Sequence, residues 1–375
     1  MKTIQLPFYA KLALTIISIL SFGYLAYIGK GILAPLIIAF LFSILLFPLA
    51  AFFEKRCRLS RAAASFLPLL LLIAGVVLIM FFIGSEISTL TNDLPLLKQQ
   101  VATSGNDMQQ WVKTHFNINI SKQMRYVHKA TENLLSSSGA MIGQVILSLS
   151  SVLLFLVFIC IYIFFMLFHR RLLMHFLIEL FHKENSLIVY EIVEHIQYII
   201  KKYILGLFFE MCIVAALASI TLLLMGVKYS ILLGIIAGVF NVIPYVGIFS
   251  ALALAALITF TTAGASKALF VAIAFVCVHL VDSNFVMPRI VGSKVKINAL
   301  VVVLGVVLGE MIWGLSGMFL SIPVIAILKI IADRIESLKP WGLLLGDEDY
   351  VKPDPSEPKK VLKDEQAEPE IVKEK

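Results

Sequence analysis

The sequence predicts an all-α, polytopic integral membrane protein with about six full spans and two opposed re-entrant hairpins, seven to eight hydrophobic segments in all, plus amphipathic cytoplasmic helices. Three observations carry that prediction. With 60% hydrophobic and 15% charged residues among 375, the chain has too little polar surface to cover a soluble globule of its size. Its apolar runs reach the ~20 residues that one helical crossing needs, and they recur from near the N-terminus to about residue 335. Lysines and arginines gather at the ends of these runs, so the net charge of +7 reports orientation in a lipid bilayer. No nucleic acid is expected as a partner.

The first run, MKTIQLPFYAKLALTIISILSFGYLAYIGK, is long, ends in aromatics and lacks a small-x-small cleavage site. It reads as a retained span at about 10–28 rather than a signal peptide. Spans follow at about 32–53, 62–84 and 144–168, each apolar all round as lipid requires. The stretch EKRCRLSR, with Lys55, Arg56, Arg58 and Arg61, and HRR, with Arg170 and Arg171, mark cytoplasmic loops. The N-terminus is then cytoplasmic, and residues 85–142, which hold Pro95 and Trp111, form an extracytoplasmic helical insertion. Residues 172–203 mix Leu, Ile and Phe with Glu, His and Lys at helical spacing, which predicts a pair of amphipathic cytoplasmic helices. A fifth span at about 204–226 carries Glu210 near its inner end, where a snorkelling interfacial side chain is favoured over a ligand.

Two longer runs are broken. Tyr229 to Thr262 would measure about 50 Å as one straight helix, more than the ~30 Å hydrocarbon core. FNVIPYVG interrupts it: Pro244 removes a backbone donor and pushes Ile243 out of the helical region, Gly247 permits a sharp turn, and Asn241 caps freed groups. Ile297 to Ile331 is interrupted likewise at WGLSG, where Gly314 and Gly317 flank Ser316 and Pro323 follows. Charge decides between kinked crossings and hairpins. The loop PRIVGSKVK carries Arg289, Lys294 and Lys296 with no acidic residue, and lands inside only when the first broken run turns back outward. A span at about 266–287 then leads to that loop, and the second hairpin enters from the cytoplasm. Broken helices approaching from opposite faces predict a transport site between their tips, near the midplane.

The pathway candidates are therefore Asn241, Pro244, Tyr245 and Gly247 in the first break, and Gly314, Ser316, Gly317 and Pro323 in the second. Asp282, Asn284, Pro288 and Gly292 follow the intervening span, and Glu310 lies four residues before Gly314. A carboxylate at the centre of a membrane helix costs about 3 kcal/mol on insertion scales and less at an interface; Asp282, near the inner end of its span and one turn beyond His279, bears part of that cost, which points to function. The structural alternative is that Asp282 and Asn284 cap broken backbone or pair with Arg289. GLSG also matches a short serine-protease pattern, but no histidine follows Ser316, which leaves only the upstream His279 to take its proton. Glu191, Glu194 and His195 in EIVEH read as a solvated helix face rather than a metal site, and no metal is expected. Four scattered cysteines read as packing residues. Neither a P-loop nor a strand-borne GxGxxG is present, so no nucleotide cofactor is expected and the driving force is an ion gradient or none.

At these residues the chain resembles the autoinducer-2 exporter family, the PerM-like permeases, through NVIPYVG at 241–247, the spacing from Asp282 through Pro288 to Gly292, and GLSGMFLSIP at 314–323. The resemblance covers the whole membrane portion and implies a bacterial inner-membrane permease. Some relatives export autoinducer-2; others are described as sodium or lithium/proton antiporters. It also implies a homo-oligomer, for which Gly234, Gly238, Gly305 and Gly309 would permit close helix packing. Where many relatives carry His-Pro, this chain has Asn298 and Ala299. The expectation is a membrane transporter domain at 1–335 that exports a small polar solute or monovalent cation, with a disordered cytoplasmic tail at 336–375. A cation/proton antiporter and a non-transporting scaffold are the alternatives, and no enzyme activity is expected.

Overall fold

A computed structural model describes residues 7–81, 83–85, 138–180, 186–242, 246–287, 289–290 and 297–346. Among these, every regular element is a helix. α1 (Phe8–Ile28) and α2 (Lys30–Lys55) are divided at Gly29, and α3 (Arg61–Ser85) and α4 (Ser138–Phe168) follow. The short α5 (Arg170–Leu180) leads to α6 (Ser186–Leu224). Next come α7 (Ser230–Asn241), α8 (Val246–Ala263) and α9 (Ala265–Val281), then α10 (Ala299–Trp313), α11 (Leu315–Arg334) and a short α12 (Lys339–Leu345). Seven helices are long and apolar enough to cross a membrane: α1 to α4, α6, α9 with its extension to Val286, and α11. The protein is thus an all-α, multi-pass membrane protein, and outward residues such as Phe22, Met80, Leu153 and Leu269 present apolar surface to lipid.

One helix departs from the sequence expectation. The predicted second amphipathic helix and fifth span are continuous in α6, whose 39 residues extend about 58 Å, nearly twice the hydrocarbon thickness. No proline or glycine pair interrupts it, and Lys201 and Lys202 lie inside it as ordinary helical residues. From those lysines to Leu224 is about 33 Å, enough for one crossing, so the Ser186 end projects beyond hydrocarbon.

Both broken runs are antiparallel helix pairs. In the second, α10 and α11 meet at Gly314, whose φ of 63° is easy for glycine and strained for other residues. Gly309 packs on Gly317, and Gly305 on Ser321 and Ile325, so contacts recede symmetrically from the turn. The Ser321 hydroxyl donates to Gly305 O at 2.7 Å across this seam. In the first pair, α7 ends at Asn241 and α8 begins at Val246, while Gly234 packs on Ser219 and Gly238 on Ala215, so α7 runs back along α6.

The long helix α6 also serves as a ruler. Arg334, at the open end of the second hairpin, pairs with Glu191 at 2.8 Å, near the start of α6. The turn at Gly314 is 20 residues away, about 30 Å. The first hairpin enters from the other end of α6, and its tip residue Asn241 bonds Glu210, which lies about 28 Å along α6 from Glu191. The hairpins therefore point in opposite directions, and their tips reach a similar level.

Two hydrophobic clusters divide along α6. One joins α2, α4 and α11 to Ile196, Ile200, Tyr203 and Ile204; the other joins α7, α8 and α9 to Ala218 and Leu222. Glu210 falls between them.

The tail begins later than the sequence suggests. Residues 336–338 form a 3₁₀ turn, and α12 packs back with Gly342 against Asp333, while Leu345 O accepts from Asn298 N at 3.1 Å. Lys-Pro at its start and three leucines at its end supply a helix N-terminus and an apolar contact that composition averaged over 336–375 obscures. Residues 347–375, most of the predicted 85–142 insertion, and Pro244, Tyr245, Pro288 and Gly292 lie outside the described residues.

Candidate functional site

The first hairpin tip carries an amide into a pair of buried carboxylates. Asn241 Nδ2 donates to Glu210 Oε1 at 3.2 Å and to Asp282 Oδ2 at 3.0 Å. The three residues come from α7, α6 and the end of α9. Glu210 is 5% exposed and Asp282 4%. The two bonded oxygens are no more than about 6 Å apart, because a single amide nitrogen serves both. Two full charges at that separation would repel by about 3 kcal/mol at an effective dielectric near 20.

The local backbone explains how Asp282 arrives there. At the end of α9 the helix widens into a π turn over Asp282–Val286, with Met287 N donating to Asp282 O. Such single-turn widenings recur at functional sites, because they rotate a side chain off the regular helical register. Asp282 Oδ1 and His279 Nδ1, one turn back, are both buried and have no hydrogen-bond partner. Among the described residues no lysine or arginine pairs with either carboxylate. Arg289 is exposed, and among the described residues no ion pair joins it to Asp282.

Close packing fixes the tip. A Cβ on Gly247 would stand 2.7 Å from Asn241 N and closer still to Phe240 O, so α8 can approach the end of α7 only with glycine at that position. The second hairpin repeats the device with Gly309 and Gly317, and Pro323 is buried inside α11 without ending it.

The other candidates divide. Asn284 is exposed, and its amide donates to Leu280 O at 2.8 Å, so it satisfies helix backbone as the structural alternative anticipates. Glu310 is exposed on α10, one residue past the glycine seam, and does not bond to the buried pair. Ser316 is half-buried in the first turn of α11 and forms no pair with the His279 Nδ1 that would have to take its proton. Glu191 of EIVEH is engaged by Arg334, and among the described residues no three His, Cys, Asp or Glu side chains gather as a metal site would require. Glu210, expected at the interface, is instead a buried member of the pair, and its eight-residue spacing from Lys202 is the sequence signal for that depth.

Residues 16–337 match the family described as AI-2E family transporter. The chain belongs to the AI-2E family. Among its relatives is the AI-2 transport protein TqsA of Escherichia coli (strain K12), 24% identical over 325 residues, which cover 84% of this chain and 90% of that protein. Another, YueF of Bacillus subtilis (strain 168), provisionally named a transport protein, is 26% identical over 308 residues, 79% of this chain and 82% of its own. YrrI of the same organism is 34% identical over 128 residues, 34% of this chain and 36% of its own. The AI-2E chain described here is thus a membrane transport protein and not an enzyme. In this AI-2E member Asn298 Oδ1 accepts from Leu300 N at 2.9 Å, capping α10.

Proposed function

We propose that this chain is an ion-coupled secondary transporter of the bacterial cytoplasmic membrane, with both termini inside, that moves a small polar solute or monovalent cation outward by alternating access. One observation carries the reading: Asn241, at a hairpin tip, bridges two buried carboxylates that pair with no lysine or arginine among the described residues, His279 being the one basic side chain set beside Asp282. A buried, uncompensated carboxylate pair in a membrane protein is expensive, and such groups belong to ion or proton pathways. A proton or Na⁺ at the pair relieves the repulsion, and its arrival or departure changes what Asn241 can hold. The cluster also lies where two hydrophobic clusters meet along α6, so a rocking motion between them would open the pair to one side and then the other.

A sodium or lithium/proton antiporter is the second reading, and the same pair favours it, since exchange needs carboxylates that bind either ion. The relative TqsA is named for AI-2 transport, which makes AI-2 the first small polar solute to try. The test is a pH-jump assay on purified protein in sealed vesicles loaded with a pH dye. Proton movement on adding Na⁺ or Li⁺ supports exchange, and proton-dependent AI-2 movement supports solute export. Folded protein that produces neither flux refutes cation exchange and AI-2 export and turns the search to uncoupled export of another small solute.

A further inference from the structure

Away from the carboxylate pair, α2, α4, α5 and the start of α6 enclose a cavity of about 700 Å³, within the size range of ligand sites. Much of its wall is apolar: Phe40, Ile44, Phe47, Met166, Met174 and Leu177. Along α2, Phe40 lies about 21 Å from Glu54 at the mouth, so the α2 wall reaches toward the middle of that span, while the α6 wall, Tyr190 to Gln197, belongs to the projecting end of that helix. Around Ser43 a small polar solute finds few donors, since the hydroxyl already donates to Phe40 O at 2.8 Å. An alkyl chain suits those walls, and the two methionines adapt to its shape.

The mouth is basic. Glu54 takes Arg170 on one carboxylate oxygen, and Arg171 at 3.0 Å and Arg61 at 3.6 Å on the other. Three guanidinium groups on one carboxylate leave surplus positive charge; Lys55 adds to it and Glu194 offsets part. Arg170 is fixed by its bond to Leu167 O at 2.8 Å and lies over the Phe47 ring. Arg171 uses one nitrogen on Glu54, and its side chain is 59% exposed, so its remaining donors are accessible at the mouth. A guanidinium fork presented at headgroup level matches phosphate.

We propose that this cavity is a binding site for an anionic phospholipid, one acyl chain lying along Phe40–Phe47 and the phosphate held by Arg171 and Arg170. Basic pockets between membrane helices bind such headgroups on general grounds, each cationic side chain contributing severalfold to affinity. The inference is independent of what is transported.

Native mass spectrometry of the detergent-purified full chain, given equal phosphatidylglycerol and phosphatidylcholine, tests it. Retention should favour phosphatidylglycerol by about fivefold or more; Arg171→Gln should lower that retention about fivefold, leaving phosphatidylcholine unchanged. Ala51→Phe, which fills the mouth, should remove the preference, provided its thermal unfolding matches wild type. If that variant misfolds, the exposed Arg171→Gln still decides. Equal retention of the two lipids, or an unchanged preference in Arg171→Gln, overturns the proposal. So does displacement of the lipid by excess glycerol 3-phosphate, which would show a site for a free anion.

Discussion

Replacing Gly247 by alanine tests whether close approach at the first tip holds the carboxylate pair together. The new Cβ would lie 2.7 Å from Asn241 N, and ordinary contact begins at 3.4 Å, so backbone must separate by at least 0.7 Å. If the end of α7 yields away from the pair, the 3.2 and 3.0 Å bonds of Asn241 lengthen beyond hydrogen-bond reach. Each bond to a charged group is worth about 1.5–3 kcal/mol, so this route costs roughly 3–6 kcal/mol. If α8 yields instead, the cost is that of overpacking, about 1–3 kcal/mol, drawn from contacts around Ala251 and Ala255. Gly75→Ala is the control: nothing lies within 4 Å of its Cβ, and alanine is better than glycine in a helix by about 0.5–1 kcal/mol. Thermal unfolding in detergent, followed by intrinsic fluorescence, should therefore separate the two variants widely. Ion flux should fall as well if Asn241 is displaced. A Gly247→Ala protein that unfolds as late as Gly75→Ala and carries wild-type flux would refute the packing argument.

Further outcomes follow from the same geometry. Gly317→Ala places a Cβ 3.0 Å from Gly309 Cα and nearer its carbonyl, so it should part the second hairpin and destabilise by about 1–3 kcal/mol, read as an earlier unfolding transition. Trp313→Phe removes the 2.9 Å bond from Nε1 to Ala26 O that ties α1 to the second tip; a loss of about 0.5–1.5 kcal/mol is expected, with flux retained. Arg334→Ala breaks an exposed ion pair with Glu191 and should shift stability by less than about 1 kcal/mol, with the difference vanishing at high salt.

Much of the architecture was legible because lipid imposes simple rules. Runs of apolar residues gave the spans, Pro244 and the glycines of WGLSG gave the breaks, and the basic loop before Asn298 argued for opposed hairpins. What hydropathy could not supply was long-range contact. Glu210 and Asp282 are far apart in sequence and meet only through Asn241, so neither residue announces the other. Lysines at 201 and 202 made Glu210 look interfacial, yet α6 continues past them and carries the carboxylate about 12 Å further in. Glu310 enters the expected pathway through its place four residues before Gly314, and Asn284 through its place beside Asp282 after the intervening span. Asn284 is two positions from Asp282 and so faces away from it, while Glu310 is rotated off the face that Gly305 and Gly309 press against α11.

The central claim is that Glu210 and Asp282 together couple ion movement to transport. The most direct measurement is cation-driven proton flux in sealed proteoliposomes, comparing wild type with Glu210→Gln, Asp282→Asn and Glu310→Gln at matched reconstitution. Flux lost in each of the first two and kept in Glu310→Gln is the predicted result. Flux that survives neutralisation of both buried carboxylates, or that disappears only in Glu310→Gln, would contradict the account.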